Sequence, residues 1–261
     1  MSRTRAPAEI LPYPRSRLPM VDAGRLGRRK HLVHGLFDVD VTRPRQWLRE
    51  HKARTGEAVS FTAFLMACLG KALNDHKPMH AYRDWRNRLV IFDEVDVNTL
   101  VEVEVDGQRI IRPRIIRAVN TKTVWELHRE LRAFQSAPEQ SREAQFLRGF
   151  VHLPWVVRQV FYLVLFKNPR LLKEYFGTVA LASIGMFGSG GFWGVPVPNH
   201  TLQLTLGGIA EQPGVVEGRI EIREYLRVTM SFDHDLVDGA PAARFAEAWK
   251  VLVARGDSLS D

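Results

Sequence analysis

The chain has a single cysteine, Cys68, in 261 residues. That excludes an internal disulfide framework. Cys68 falls on the apolar side of a helical pattern, where a thiol packs rather than reacts. The N-terminus, MSRTRAPAEILPYPRSRLPM, has no continuous apolar stretch and so is not a secretory signal. A reducing cytoplasm is the expected location. The greasiest segment, residues 145–176, has an uninterrupted apolar run of only seven residues, Val160–Phe166, preceded by Pro154, Arg158 and Gln159. This is too short to span a bilayer. It reads as a buried helix, with a membrane-surface helix or an apolar lid as alternatives. Zinc-finger spacing, an RNA-binding aromatic signature, a helix-turn-helix pattern, internal repeats and low-complexity tracts are all lacking.

What is present is a full core and an excess of positive charge. Hydrophobic residues make up 45% and charged residues 25%, with a net charge of +8. The sequence pI is about 9.9. Such a balance favours anionic partners, and without nucleic-acid motifs it points to a phosphate-bearing small molecule or simply to a solvated basic surface.

Residues 1–30 read as an extended arm, with the Arg- and Pro-rich part at 1–20, and residues 31–261 as one domain. Alternation predicts strands at Val33–Val41, Leu89–Phe92, Val97–Val105, Ile110–Val119, Thr178–Ser183, Thr201–Ile209 and Ile220–Phe232. Asp106-Gly107 and Glu217-Gly218 mark turns. Phe61, Phe64, Leu65, Cys68, Leu69 and Leu73 recur at helical spacing behind Ser60. Further helices are expected from Pro44 to about Thr55, Thr121 to about Phe134 and Ala240 to about Ala254. Strands and helices mix without a regular βαβ repeat, so the fold class is α+β with a mixed sheet.

The stretch most suggestive of chemistry is RVTMSFDHDLVDGAPAARF. A strand ends at Phe232, a polar loop carries Asp233, His234, Asp235 and Asp238, and a helix follows Gly239. A histidine held at a strand end among carboxylates suits general-base work, because its unperturbed pKa lies near ~6.5. The same residues also have plain structural readings: Asp238 as a helix N-cap, Gly239 as turn geometry, His234 as an exposed loop residue. A metal site from Asp233, His234 and Asp235 is disfavoured, since adjacent residues rarely chelate one ion and no His or Cys pair stands at ligand spacing. No metal is expected.

His-x-x-x-Asp-Gly, here HDLVDG after TMSFD, resembles the signature of the dihydrolipoyl acyltransferase core of 2-oxo-acid dehydrogenase complexes, and chloramphenicol acetyltransferases share it. LFDVDVT, VSFTAFLMACLGKAL, IIRPRIIRAVNTKTVWELHRELR, GTVALASIGMFGSGG and LTLGGIAEQPGVVEGRIEIREYLRVTMSFDH resemble further family segments in the expected order. The resemblance covers about residues 33–136 and 177–255. It implies a chloramphenicol-acetyltransferase-like two-layer sandwich, here as a catalytic core without a lipoyl domain and with a hydrophobic insertion at about 140–176.

The same resemblance implies coenzyme A as acyl carrier, a lipoyl-type thiol on a lipoylated protein supplied in trans or else another acceptor, and a homotrimer or an assembly of trimers with its sites between subunits. His234 would be the base. Asp238 would hold the loop by pairing with Arg29 or Arg28 of GRRKHL. The family's oxyanion hydroxyl aligns with Ala182, so Ser183, Ser189 or a backbone N–H of the glycine-rich turn would take that part. Asp235 stands where the family usually has Arg. Arg29, Pro113, Phe187 and Trp193 are candidate substrate contacts, and Pro154, Trp155, Phe161, Phe166 and Trp193 would line an apolar space. A non-catalytic scaffold of the same fold and a membrane-surface binding protein are the competing expectations.

Overall fold

The computed structural model describes residues 9, 11–105, 108–136, 145, 146, 149–185 and 190–259. The order of elements is α1 (Leu18–Gly27), β1 (Leu32–Asp40), α2 (Thr42–Thr55), α3 (Phe61–Asp75), β2 (Tyr82–Arg83), β3 (Leu89–Val90), β4 (Val97–Val105), β5 (Gln108–Ile116), α4 (Val124–Ser136), α5 (Trp155–Lys167), α6 (Pro169–Phe176), β6 (Val179–Ser183), β7 (Leu202–Val216), β8 (Arg219–Asp233) and α7 (Gly239–Arg255).

The main sheet runs β1-β8-β7-β6-β4-β5. Its pairs are antiparallel except β4/β6 and β6/β7, which makes it mixed, as expected for an α+β fold. Every second residue of β6, β7 and β8 faces a helical layer. Val179, Leu181, Leu202, Leu204, Val228 and Met230 enter one core with the apolar side of α3 and with Phe245 and Trp249 of α7. The spacing read in α3 is that of its buried residues, and its N-terminus is capped by the Ser60 hydroxyl, which accepts the Ala63 N–H at 3.3 Å. Cys68 is fully buried, and desolvation pushes its thiol up to about 12, so it packs and does not react.

Glu217 and Gly218 both adopt positive φ, 49° and 79°, the two-residue turn whose twist matches a hairpin. It joins β7 and β8, and β7 extends to Val216, beyond the expected Ile209, because pairing resumes after a register shift between Leu206 and Ile209. The expected strand at Leu89–Phe92 is only the short β3, and β5 ends at Ile116. Asp106-Gly107 lies outside the described residues.

The N-terminal segment departs from the extended arm expected over 1–30. From Leu18 it forms α1, packed on α5 of the same chain. Asp22 is 1% exposed and accepts the Arg158 Nε–H at 2.8 Å and the Gln159 Nε2–H at 2.8 Å. Tyr162 Oη donates to the Pro19 carbonyl at 3.1 Å. A buried guanidinium needs a carboxylate, and α1 supplies it. Segment 145–176 becomes two helices, because Asn168 ends α5 and caps α6 by accepting from the N–H groups of Arg170 and Leu171. Together α1, α5, α6 and Tyr82 form a second, aromatic-rich core around Phe150, Tyr162, Leu165 and Leu172. No helix among the described residues is long and apolar enough to cross a membrane.

Candidate functional site

His234 follows the last residue of β8 and is exposed. Its backbone N–H donates to the His31 carbonyl at 2.7 Å, which ties the loop to the start of β1. Beneath it, Asp233 is 4% exposed. Oδ2 of Asp233 accepts from Lys30 Nζ, Oδ1 accepts the Asp235 N–H at 3.3 Å, and the Asp233 carbonyl accepts the N–H groups of Leu236 and Val237 at 3.0 Å. Asp235 pairs with His31 Nδ1 at 2.9 Å, and that hydrogen bond is the main cause of its lowered pKa, with His31, Arg83 and Lys30 adding charge attraction. Val237 is buried and pins the far side of the loop. The imidazole of His234 is thus presented to solvent from a backbone held on both sides.

The pairing expected between Asp238 and Arg29 or Arg28 is not formed. Asp238 is exposed at the N-cap of α7, with no side-chain cap hydrogen bond, and Arg28 and Arg29 are exposed as well. The GRRKHL segment does clamp the Asp-His-Asp loop, but through its next two residues, Lys30 and His31. Those contacts, and the anchoring part of Asp233 in them, were missed in the sequence. The signal for them was Lys-His directly before a strand that pairs with the strand carrying Asp233.

Beside the loop lies a cavity of about 290 Å³ lined by Arg29, Lys30, Tyr82, Arg83, Leu163, Phe166, Lys167, Leu172, Asp233, Asp235 and Leu236. Segment 145–176 therefore contributes a wall of this cavity, through the end of α5 and through α6, while His234 itself does not line it. Of the residues expected to line an apolar space, Phe166 does so, while Pro154, Trp155 and Phe161 do not line this cavity.

The remaining candidates gather at the other end of the sheet. Phe232 pairs with Leu202 and Leu202 with Val179, whereas Ser183 pairs with Leu206. His234 is thus six rows along and two strands across from Ser183, a separation of roughly 20 Å at ~3.3 Å per residue and ~4.8 Å per strand. Ser183 is the last residue of β6, and its partner Leu206 is the residue at which β7 enters the register shift. Ala182 lies in one row with Thr205 and Thr229, whose buried hydroxyls have no partner among the described residues. Trp193 stacks under the Arg227 guanidinium, 4.3 Å from the ring centroid, and belongs to this same end, since Val228 pairs with Leu206. Pro113 pairs with Leu100, one row beyond the Thr99–Leu181 pair, so it stands on the edge strand β5 two strands from β6 at the Ser183 end and away from His234. Phe187 and Ser189 lie outside the described residues. No group of three or more His, Cys, Asp and Glu with metal-holding geometry occurs among the described residues.

Residues 173–259 match the family described as 2-oxoacid dehydrogenases acyltransferase (catalytic domain). The chain is 37% identical over 228 residues to the lipoamide acyltransferase component of the branched-chain alpha-keto acid dehydrogenase complex of Pseudomonas putida, an alignment covering 83% of this chain and 45% of that protein. The chain spans under half the length of the curated relatives it matches. A probable dihydrolipoamide acetyltransferase from Listeria monocytogenes 4b F2365 superposes with a TM-score of 0.71 at 16% identity, covering 95% of each chain. A chloramphenicol acetyltransferase superposes with a TM-score of 0.52 at 14% identity, covering 89% of this chain and 94% of that one. Residues 173–259 thus match the catalytic-domain family of the 2-oxoacid dehydrogenase acyltransferases, and the chain has the chloramphenicol-acetyltransferase-like fold of the solved structures it resembles.

Proposed function

We propose that this chain is an acyltransferase that moves an acyl group between coenzyme A and a thiol acceptor, with a site assembled between two copies of the chain. The observation that carries the reading is the split of the site residues. A thioester carbonyl has to lie within about 3 Å of both the nucleophile at the base and the oxyanion donor. His234 and Ser183 of one chain are held roughly 20 Å apart by the sheet register. One chain therefore presents a base without a donor at one end, and a donor without a base at the other. Head-to-tail contact between copies brings the two ends together, and a closed ring such as a trimer uses every site.

In this reading the unprotonated nitrogen of His234 takes the proton of the acceptor thiol. The sulfur forms a bond to the thioester carbonyl carbon, and the carbonyl electron pair moves to oxygen. Ser183 of the adjoining copy donates a hydrogen bond to that oxygen. Collapse re-forms the C=O bond and breaks the bond to the coenzyme A sulfur, which leaves as a thiolate and recovers the proton from the imidazolium. No acyl-enzyme forms. The chain's net charge of +8 suits a phosphate-bearing carrier. Asp238 in this scheme acts on the loop backbone as the residue that starts α7.

The test is His234→Ala, with thiol release from acyl-coenzyme A measured in the presence of dihydrolipoamide. The side chain is exposed and carries no packing, so circular dichroism should be unchanged while turnover falls by ~10² to 10⁴-fold. Turnover near that of the parent chain would remove the general-base role.

A further inference from the structure

The cavity beside the catalytic loop has a chemistry that a small thiol does not require. Its interior is apolar: Tyr82 and Leu172 are buried at 3% and 4%, and the surface continues through Phe166 to Leu163, which is 45% exposed. Its rim is cationic, with Arg29, Arg83 and Lys167 all exposed. Lys30 is taken by Asp233 and Asp235 is hydrogen-bonded to His31, so the four cations and two carboxylates of the lining leave an excess of two positive charges. Arg83 acts on Asp235 through space, whereas Arg29 and Lys167 have no carboxylate partner among the described residues. The α5 segment adds nothing negative, since no Asp or Glu occurs from residue 144 to residue 173. An apolar trough ending in like charges is complementary to one molecular shape, an alkyl chain joined to an anion.

We propose that this cavity binds the straight alkyl chain of a monomeric anionic amphiphile, bearing a phosphate or carboxylate, with the chain along Leu163, Phe166 and Leu172 and the anion at Arg29, Arg83 and Lys167. The α5 wall precedes residue 173, where the match to the acyltransferase family model begins. Binding does not rest on the acyl-transfer reading; only the use of a thiol-bearing amphiphile of this kind as the acyl acceptor would rest on it.

The experiment is calorimetric titration of the full chain with hexyl phosphate, octyl phosphate and the uncharged octyl glucoside, each below its micelle concentration. Octyl phosphate should bind, with affinity rising about fourfold per CH₂ from the hexyl compound, and octyl glucoside should bind at least about tenfold more weakly. Leu163→Glu places a charge in the trough at an exposed position and should weaken octyl phosphate about tenfold or more with an unchanged circular dichroism spectrum. The double substitution Arg83→Glu with Lys167→Glu should reduce octyl phosphate to the level of octyl glucoside. Absence of binding at about 1 mM, affinity independent of chain length, or indifference to both variants would overturn the proposal. Displacement of octyl phosphate by coenzyme A would reassign the cavity to the carrier and overturn it as well. Co-sedimentation with phosphatidylglycerol vesicles that survives Leu163→Glu, without binding of the monomer, would replace it with a bilayer-surface role for the exposed face of α5. Acyl transfer to dihydrolipoamide without amphiphile binding would sink this proposal alone, and amphiphile binding without transfer would sink the acyltransferase reading alone.

Discussion

Two inactive chains should make an active mixture. His234→Ala removes the base but leaves the Ser183 end of β6 intact. Ser183→Ala removes the donor, with a loss of ~10² to 10³-fold, and leaves His234 intact. In a homo-oligomer of either variant every site has one lesion, and the base variant should retain ~10⁻² to 10⁻⁴ of the parent rate. If each site takes its base from one copy and its donor from the next, random 1:1 assembly gives intact sites with probability one half times one half, so about a quarter of parental turnover returns. That is at least about 25-fold above the background of either variant. The prediction comes directly from the roughly 20 Å between the two ends in one chain. The chains are mixed by co-refolding, hybrids are confirmed by native mass spectrometry, and thiol release is followed. Confirmed hybrid trimers with no recovered activity would refute the shared site, and so would an active monomer.

Three further outcomes are expected. Lys30→Met leaves the Asp233 carboxylate buried without its cation and should lower stability by about 3 kcal/mol in urea unfolding, with most of the loss restored in the double variant Lys30→Met/Asp233→Leu. Ser183→Ala should lower turnover ~10² to 10³-fold with KM nearly unchanged, because the hydroxyl acts on charge that develops only in the transition state. Acid should destabilise the fold through His80 and His200, which are 0% and 4% exposed and which burial lowers from 6.5 to about 4. The folded state then binds fewer protons than the unfolded one between these values, so the stability is fully present above pH 6.5 and is lost as the pH falls toward 4. At about pH 5 each histidine should remove about 2 kcal/mol, and His200→Gln should abolish its share of the slope in a pH series of urea titrations.

The sequence by itself determined the local elements and the place of the Asp-His-Asp loop. Apolar spacing from Phe61 to Leu73 made α3, alternation made β1, β4, β7 and β8, and Glu217-Gly218 made the hairpin, because each depends on near-neighbour geometry that periodicity reports. The Asp-His-Asp loop could likewise be read where a strand pattern stops and a helix pattern starts. Tertiary structure alone decided what lay between distant residues. Asp22 meets Arg158 across 136 positions and turns an apparent arm into α1; Lys30 meets Asp233 across 203 positions and takes the place expected for an arginine at Asp238. Neither pair has a local signature, since an ion pair needs only complementary charge and a shared low-dielectric site. The division of His234 from Ser183 is of the same kind. Residue types named both ends of the site, but only strand order and register put them too far apart to serve one substrate within a single chain.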